Sequence, residues 1–221
     1  MSLRLAIFDC DGTLVDSQDA IVAAMSEAAN LHGLPQPDPG AVLRVVGLSL
    51  FEAVAILFPG TSDELRLELE RAYKRAFSAA RARGEVSEPL YPGASASLNN
   101  LEEAGWLLGV ATGKSHRGLV ATLSRHNLLE KFTTLQTADR APGKPKPDMI
   151  YRALEETGVD AAQSVMVGDT SYDMTMAKNA GVRAVGVAWG YHEPHELMDA
   201  GAELVIDDCG RLAAAIHSIV D

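Results

Sequence analysis

The sequence is poor in cysteine, in positive charge and in long apolar runs, and each shortage excludes a class of protein. Its two cysteines, Cys10 and Cys209, are too few for a disulfide framework and favour a reducing cytoplasm. The 19 basic residues against 30 acidic ones give a formal net charge of -11. This charge argues against a nucleic-acid partner, because phosphate backbones attract basic surfaces. No apolar run approaches the roughly 18–20 residues that span a bilayer, so we expect a cytoplasmic protein that does not bind membranes.

The size and hydrophobic content nevertheless allow a well-packed protein. With 221 residues, 47 % of them hydrophobic, the chain can bury a core in one large domain or in a large and a small one. The six histidines lack the spacing of zinc ligands. His192 and His195 flank Pro194 in a predicted loop, where solvated surface is the default interpretation. A small anionic substrate is still possible, provided that a local cationic or metal-bearing pocket holds it.

Apolar runs and helical patterns alternate over most of the chain. Buried strands are predicted at residues 3–8, 106–111, 164–167, 184–188 and 203–206, with a weaker candidate at 133–137. Helices are predicted at residues 94–104, 147–157 and 171–180. This alternation predicts an α/β fold with a doubly wound, Rossmann-like parallel sheet and helices on both of its faces.

Residues 16–88 break that rhythm, since they contain helical spacing and no strand pattern. One apolar stripe runs through residues 21, 24, 25, 28 and 31, and a second runs from residue 65 to residue 80. Thr61 and Glu64 form a possible capping box before the second stripe. We therefore predict a helical cap domain over residues 16–88, inserted into a core domain made of residues 1–15 and 89–221.

Candidate catalytic residues follow the predicted strands. Asp9 and Asp11 come directly after the first strand, in the segment FDCDGTLVDS. Ligands bind outside the carboxyl ends of the strands in an open parallel sheet. The other polar positions near such ends are Thr112-Gly113-Lys114, Lys144 within KPKP, and Gly168-Asp169-Thr170 with Asp173 one helical turn later.

Four carboxylates at one edge of a sheet need a cation, because like charges repel at short range. A set of oxygen ligands without clustered histidine or cysteine suits Mg²⁺. One aspartate could attack phosphorus to form an aspartyl-phosphate. The neighbouring acid could protonate the leaving oxygen and then activate the water that hydrolyses the intermediate.

These positions resemble the four ordered motifs of the haloacid dehalogenase superfamily. FDCDGTLVDS is similar to its first motif, Thr112 with Gly113 to the second, Lys144 to the third, and Gly168-Asp169-Thr170 with Asp173 to the fourth. The helical insertion lies where the first cap type of that superfamily belongs. Its dehalogenase branch lacks the second aspartate and needs no metal, so Asp11 favours phosphoryl transfer.

The resemblance implies a role for each of these residues. Asp9 would be the nucleophile and Asp11 the general acid and base. Thr112 would hydrogen-bond the phosphoryl group, and Lys144 would balance its charge and that of Asp9. The resemblance also implies that Mg²⁺ is held by the Asp9 side chain, the Asp11 backbone carbonyl and Asp169, with Asp173 in or near its coordination sphere. Gly113, Lys114 and the cap residue Gly47 are the further predicted substrate contacts.

Three segments resemble phosphoglycolate phosphatase and its close relatives. They are Val46-Gly47-Leu48-Ser49, Tyr91-Pro92-Gly93 and Trp189-Gly190-Tyr191. The prediction is thus a Mg²⁺-dependent phosphatase of small phosphomonoesters, such as 2-phosphoglycolate. Its partner would be a small phosphorylated metabolite, and we expect a monomer or a homodimer.

Less specific interpretations stay open at several positions. Asp173 could serve only the first turn of a helix, where an acid stabilises the helix dipole. Lys114 could contact substrate or be a surface charge. A sugar phosphomutase with the same aspartyl-phosphate chemistry is one alternative function. A non-catalytic nucleotide-binding module is another, since residues 109–115 resemble a phosphate-binding loop; however, they have one residue too few between the glycines.

Overall fold

Six parallel strands form the central sheet of the computed structural model, which describes residues 3–220. The strand order is β3-β2-β1-β4-β5-β6. The strands are β1 (Arg4–Phe8), β2 (Trp106–Thr112), β3 (Phe132–Thr137), β4 (Ser164–Gly168), β5 (Arg183–Val187) and β6 (Leu204–Ile206). The α/β prediction is confirmed, and the weak candidate at residues 133–137 is a strand.

Helices cover both faces of this sheet, as a doubly wound fold requires. They are α5 (Ala94–Glu103), α6 (His116–Arg125), α7 (Asp148–Thr157), α8 (Ser171–Ala180), α9 (Pro194–Ala200) and α10 (Leu212–Val220). Side chains alternate along each strand, so β1 contributes to two cores. Ala6 and Phe8 pack with residues of α5, α6 and α10. Leu5 and Ile7 pack with residues of α7, α8 and α9.

Four helices lie between β1 and α5, in the region of the predicted cap. They are α1 (Gln18–Leu31), α2 (Pro39–Arg44), α3 (Leu50–Leu57) and α4 (Asp63–Ala82). These helices share a hydrophobic cluster of their own, which includes Met25, Val42, Val54 and Leu69. The domain boundaries stay a prediction, and residues 1, 2 and 221 at the outer ends of the predicted core lie outside the described residues.

One local prediction in the cap region is wrong, and one residue of a predicted apolar stripe is not buried. Leu31, the last residue of α1, keeps the helical spacing of the stripe but is 67 % exposed. The cap of α4 is Ser62, whose hydroxyl accepts from the Leu65 amide at 3.3 Å. Thr61 instead donates its hydroxyl hydrogen to the Phe58 carbonyl at 2.7 Å. The helix begins one residue later than a Thr61 capping box would require.

The cap contacts the core at the carboxyl edge of the sheet. Leu48, in the loop between α2 and α3, forms an isolated parallel bridge with Lys144, which precedes α7. Val15, after β1, forms an antiparallel bridge with Leu90, so the chain leaves and re-enters the core at neighbouring points. Strands β2, β1 and β4 are adjacent and parallel, and their carboxyl ends therefore open under the cap.

Neither cysteine is in a disulfide, and both are buried. Across residues 3–220, we find no helix of the length and hydrophobicity needed to cross a membrane.

The core packing generates a stability prediction. Leu98, on α5, is fully buried in the cluster that contains Phe8. Leu98→Ala should lower the free energy of unfolding by about 2–5 kcal/mol, through lost burial and the cavity left behind. Leu31→Ala is the matched control, since its side chain is largely exposed, and it should change stability by less than about 0.5 kcal/mol. Urea unfolding of both variants measures the difference, and similar losses at the two positions would contradict this packing.

Candidate active site

Four charged side chains are buried together at the carboxyl edge of the sheet. Asp9 directly follows β1, and Asp169 directly follows β4. Asp173 lies in the first turn of α8, and Lys144 lies in the loop between β3 and α7. Each of the four is at most 1 % exposed. The sequence predicted all four as site residues, and the parallel sheet brings them together.

Lys144 is the cation at the centre of this cluster. Its Nζ lies 2.8 Å from Asp9 Oδ2 and 2.6 Å from Asp173 Oδ1. Burial raises the pKa of Asp9 to about 6, although Lys144 opposes the shift. Burial also raises the pKa of Asp169 well above its ordinary value, and Asp9 and Asp173 reinforce that rise. One ammonium therefore does not offset the negative charge of three buried carboxylates.

Local hydrogen bonds fix the orientation of Asp9 and Asp169. Asp9 Oδ1 accepts from the backbone amide of Cys10 at 2.6 Å. Asp169 Oδ1 accepts from the Thr13 hydroxyl at 2.7 Å, and its Oδ2 accepts from the Tyr191 amide at 2.9 Å. Thr13 belongs to the same D-x-D-G-T segment as Asp9, so the first motif also orients the aspartate of the fourth.

Asp173 caps its own helix and also faces the charged cluster. Its Oδ2 accepts from the Thr170 amide at 3.1 Å and from the Thr170 hydroxyl at 2.6 Å, in a capping box at the start of α8. Its Oδ1 faces Lys144. The two charges form a buried ion pair. The helix cap leaves one oxygen of Asp173 directed into the cluster.

Two glycines allow the backbone to approach Asp169. Gly12 has a φ of +87°, and a Cβ there would lie 2.3 Å from Asp169 Oδ2. A Cβ on Gly190 would lie 2.2 Å from the Cβ of Asp169. Trp189 donates its indole N–H to the Thr13 carbonyl at 3.1 Å, which holds this loop against the first motif. The Trp189-Gly190-Tyr191 segment therefore positions the acidic cluster.

The cluster fits a hard divalent cation. Asp9, Asp169 and Asp173 each offer a carboxylate oxygen, and these atoms lie within 4.8 Å of one another. Each carboxylate oxygen can accept more than one contact, so the existing hydrogen bonds leave room for a metal. Buried carboxylates short of positive charge suit Mg²⁺. The side chain of Asp11 lies outside this group, and the metal contact of its backbone carbonyl stays a prediction.

Asp11 instead pairs with Lys114. Asp11 Oδ1 lies 2.6 Å from Lys114 Nζ and accepts from the Ser17 hydroxyl at 2.5 Å. Lys114 is thus a buried ion-pair partner of Asp11, the predicted general acid and base. The alternative interpretation, that Lys114 is a surface charge, is wrong. Burial by itself lowers the pKa of Lys114, but Asp11 and Glu88 raise it above its ordinary value. The ammonium therefore stays charged beside Asp11.

The ion pairing continues to Glu88, which was not among the predicted site residues. Glu88 is 2 % exposed, and its Oε1 lies 2.9 Å from Lys114 Nζ. Arg81, near the end of α4, reaches both carboxylate oxygens of Glu88, at 2.9 and 2.7 Å. A chain of charges thus runs from Asp11 in the core to Arg81 in the cap. No local pattern marks Glu88, because its partners come from distant parts of the sequence.

A cavity of about 710 Å³ opens above the acids. Asp9, Asp11, Thr112, Gly113 and Lys114 line it from the core. The Thr112 hydroxyl accepts from the Lys114 amide at 3.3 Å. Thr112 is the last residue of β2, and Lys114 lies two residues later. The predicted substrate contacts of the core thus border the same space as the predicted nucleophile.

Gly47 borders this cavity from the cap and also touches the core. Its φ is +102°, and a Cβ there would lie 3.2 Å from the Thr170 hydroxyl. A Cβ on Gly113 would come within 3.0 Å of the Leu48 carbonyl. A side chain at either glycine would therefore disturb the contact between cap and core as well as the cavity.

The structure also tests the interpretations of residues 109–115 and of His192. Gly109 lies inside β2 and pairs with Ile7, so residues 109–115 do not wrap as a phosphate-binding loop. His192 is 4 % exposed, which makes the surface interpretation wrong. Its Nδ1 accepts from the Ser171 amide at 3.2 Å, and its Nε2 contacts the Arg44 carbonyl at 3.1 Å. Burial lowers the pKa of His192.

Known proteins resemble this chain along nearly its whole length. The model of the haloacid dehalogenase-like hydrolase family matches residues 6–187, from within β1 to the end of β5. "Probable phosphatase IndB" of Dickeya dadantii (strain 3937) is 35 % identical over 218 residues, which cover 98 % of this chain and 94 % of that protein. "Phosphoglycolate phosphatase" of Vibrio cholerae serotype O1 is 30 % identical over 223 residues, covering 97 % of each.

A solved structure shares the fold. The crystal structure of a hydrolase from Pseudomonas syringae superposes with a TM-score of 0.86 at 27 % sequence identity. The superposition covers 98 % of this chain and 99 % of that chain. Core sheet and inserted helices are therefore both common to the two proteins.

The buried charge chain generates a prediction on pH-dependent stability. Burial raises the pKa of Glu88, but Lys114 and Arg81 hold it below the ordinary value of 4.5. The resulting stabilisation is therefore present above that value and is lost as the pH falls through the lowered pKa. Glu88→Gln should lower the free energy of unfolding by about 1–3 kcal/mol at neutral pH. Urea unfolding at several pH values should show this gap closing in acid.

Glu85→Gln provides the matched control, because Glu85 forms an exposed pair with Arg83 in the same connection. It should leave stability unchanged at every pH. A Glu88→Gln loss that stays constant from neutral pH into acid would show that the charge of Glu88 contributes nothing.

Proposed function

Because this chain belongs to the haloacid dehalogenase-like hydrolase family and is a phosphoric monoester hydrolase, we propose that it is a Mg²⁺-dependent phosphatase of small phosphomonoesters. The observation that carries the proposal is the buried Asp9 carboxylate. It is held by one ammonium and one backbone amide, and it borders the same cavity as Asp11. The proposed nucleophile, Asp9, and the proposed general acid and base, Asp11, therefore line one cavity.

The first chemical step assigned to these residues is attack by Asp9. A carboxylate oxygen of Asp9 bonds to phosphorus, and the bond between phosphorus and the ester oxygen breaks. Asp11 gives its proton to the departing oxygen, which leaves as an alcohol. In the second step Asp11 takes a proton from water, and the water oxygen attacks the aspartyl-phosphate. Inorganic phosphate leaves, and the Asp9 carboxylate is restored.

The surrounding residues stabilise the charges present during both steps. Lys144 contacts Asp9 and offsets the negative charge on the transferring phosphoryl group. We assign the Thr112 hydroxyl as a hydrogen-bond donor to a phosphoryl oxygen, because Thr112 lines the same cavity as Asp9. When held by Asp9, Asp169 and Asp173, Mg²⁺ would supply further positive charge for the phosphoryl oxygens. Lys114 orients Asp11 and stabilises its ionised form between the steps.

The substrate, the compartment and the assembly belong to the same proposal. The printed name of the Vibrio cholerae relative makes 2-phosphoglycolate the first substrate to test. The buried free cysteines agree with a reducing cytoplasm. A monomer or a homodimer without nucleic-acid or membrane partners stays our expectation. A phosphomutase with the same intermediate would transfer the phosphoryl group to a second hydroxyl, so release of inorganic phosphate distinguishes the two.

The proposal is tested by phosphate release from a panel of phosphomonoesters with the wild type and with Asp9→Asn. The amide has the same shape but cannot attack phosphorus, so we expect a loss of at least about 10³-fold in kcat with the fold retained. Excess chelator should abolish turnover of the wild type, and Mg²⁺ should restore it better than Ca²⁺, whose looser coordination misplaces the attacking group.

Asp199→Asn is the control for this experiment, because Asp199 is an exposed residue of α9 that does not line the cavity. It should turn over like the wild type. Substantial phosphate release by Asp9→Asn would exclude Asp9 as the nucleophile, and full activity in chelator would remove the metal from the mechanism.

We further predict that Asp11 is the group that protonates the leaving oxygen. An aryl phosphate leaves as a stabilised anion, whereas an alkyl phosphate leaves as a strongly basic alkoxide that needs protonation. Asp11→Asn should therefore slow the first step of the alkyl ester by about 10²–10⁴-fold. An aryl ester should still phosphorylate Asp9 and then stall, which gives a burst of aryl alcohol near one equivalent. Rapid-quench kinetics can measure the burst; equal losses for both esters without one would contradict this role.

A further inference from the structure

The cavity extends from the acids far into the cap, and its character changes along the way. Its core end presents the predicted phosphoryl site. Its cap end is lined by hydrophobic side chains from all four cap helices or the loops that flank them, among them Ile21, Met25, Val45, Ala53, Tyr73 and Phe77. A substrate with its phosphoryl group at Asp9 would therefore extend its organic group between these hydrophobic side chains.

The cavity is larger than a two-carbon phosphomonoester requires. Its volume of about 710 Å³ lies within the range of pockets that enclose drug-sized ligands, which is about 300–1,000 Å³. A phosphorylated two-carbon acid would fill only the part beside Asp9 and Asp11. The remaining apolar wall would stay in contact with water, so binding would gain nothing from it.

The ion pairs of the cavity wall also favour an uncharged organic group. Lys74 pairs with Glu70 at 2.5 Å, and Lys114 is held between Asp11 and Glu88. Arg81 is likewise engaged by Glu88. Arg117 also lines the cavity, is exposed and forms no ion pair with any residue that the structure describes. A carboxylate on the substrate would therefore find one unpaired cation, and at the other three it would have to compete with their partners. An uncharged organic group needs no countercharge, and so loses less on entering the cavity.

Two aromatic rings of α4 give the hydrophobic end a defined surface. The rings of Tyr73 and Phe77 lie 6.0 Å apart between centroids. Phe77 is further fixed by the Arg81 guanidinium, 5.1 Å from its ring centre, and by Lys114 Nζ at 5.4 Å. Aromatic side chains pack well against other rings, in offset or edge-to-face arrangements.

We propose that the substrate is a phosphomonoester whose organic group is uncharged, largely apolar and ring-bearing, and that this group packs against Phe77, Tyr73 and the aliphatic side chains of the cap. The inference rests on the proposed phosphatase function. It names a substrate class larger and less charged than 2-phosphoglycolate. Because the hydrophobic wall comes from the cap, this part of the chain selects the organic group, and the core performs the phosphoryl chemistry.

The test compares esters with similar alkoxide leaving groups, so that chemistry does not mask binding. Ethyl phosphate, benzyl phosphate and 2-phosphoglycolate are assayed for kcat/KM with Mg²⁺. Benzyl phosphate should exceed both others by at least about tenfold, since even one methylene in a hydrophobic pocket changes kcat/KM by about 10–200-fold. An equal or higher value for ethyl phosphate or 2-phosphoglycolate would overturn the inference, while phosphate release from none of the three would overturn the proposed function itself.

Two variants locate the preference within the cavity. Ala53→Leu should fill part of the hydrophobic end, and Phe77→Ala should remove its principal ring. Both should lower the ratio of kcat/KM for benzyl over ethyl phosphate by about tenfold. Leu67→Ala is the control, because Leu67 is an exposed residue of the same helix α4 and does not border the cavity; its ratio and its rates should match the wild type. Thermal unfolding identifies the variants that fold.

The ratio of kcat/KM for benzyl over ethyl phosphate in the two variants tests the hydrophobic site. A reduced ratio in both variants, or in Phe77→Ala alone if Ala53→Leu does not fold, supports the hydrophobic site. An unchanged ratio in folded Phe77→Ala would overturn it, because the ring would then contribute nothing to the choice of substrate.

Discussion

The burial of three carboxylates around one ammonium is the constraint on which the rest of the site depends. Asp9, Asp169 and Asp173 are removed from water, and Lys144 alone stands among them. Such a cluster is costly, because the desolvation of charged groups is only partly repaid by their attraction. The raised pKa of Asp9 reflects this cost. A cation bound at this place, or a phosphoryl group held by one, would relieve the imbalance, which is why the cluster points to function rather than to stability.

Much of the neighbouring backbone is arranged to keep that cluster in place. Gly12 and Gly190 let two loops approach Asp169 more closely than any side chain would allow. Thr13 and the Tyr191 amide then each donate one hydrogen bond to an oxygen of Asp169. The capping box of α8 orients Asp173 by the interaction that begins the helix. A nucleophile is useful only when its geometry is fixed before the substrate arrives, and these contacts supply that fixed geometry.

The cap is joined to this centre both by charge and by cavity shape. The ion pairs from Asp11 through Lys114 and Glu88 to Arg81 place a cap residue in electrostatic contact with the predicted acid and base. The same α4 helix presents Tyr73 and Phe77 to the cavity. Under the two proposals, one helix would both contact the organic group of the substrate and, through Arg81, contribute to the ion pairs that hold the predicted proton donor.

The sequence by itself determined the sheet, the insertion of helices after β1, and the identity of the acidic cluster. Strand periodicity is local, and parallel strands necessarily bring their carboxyl ends to one edge, so Asp9, Asp169 and Lys144 could be placed together without coordinates. Only the tertiary structure decided that Glu88 is a buried partner of Lys114, that His192 is enclosed and that Leu31 is exposed. It also decided the volume and hydrophobic lining of the cavity. These features depend on contacts between segments far apart in the chain, and such contacts leave no periodic trace in the sequence.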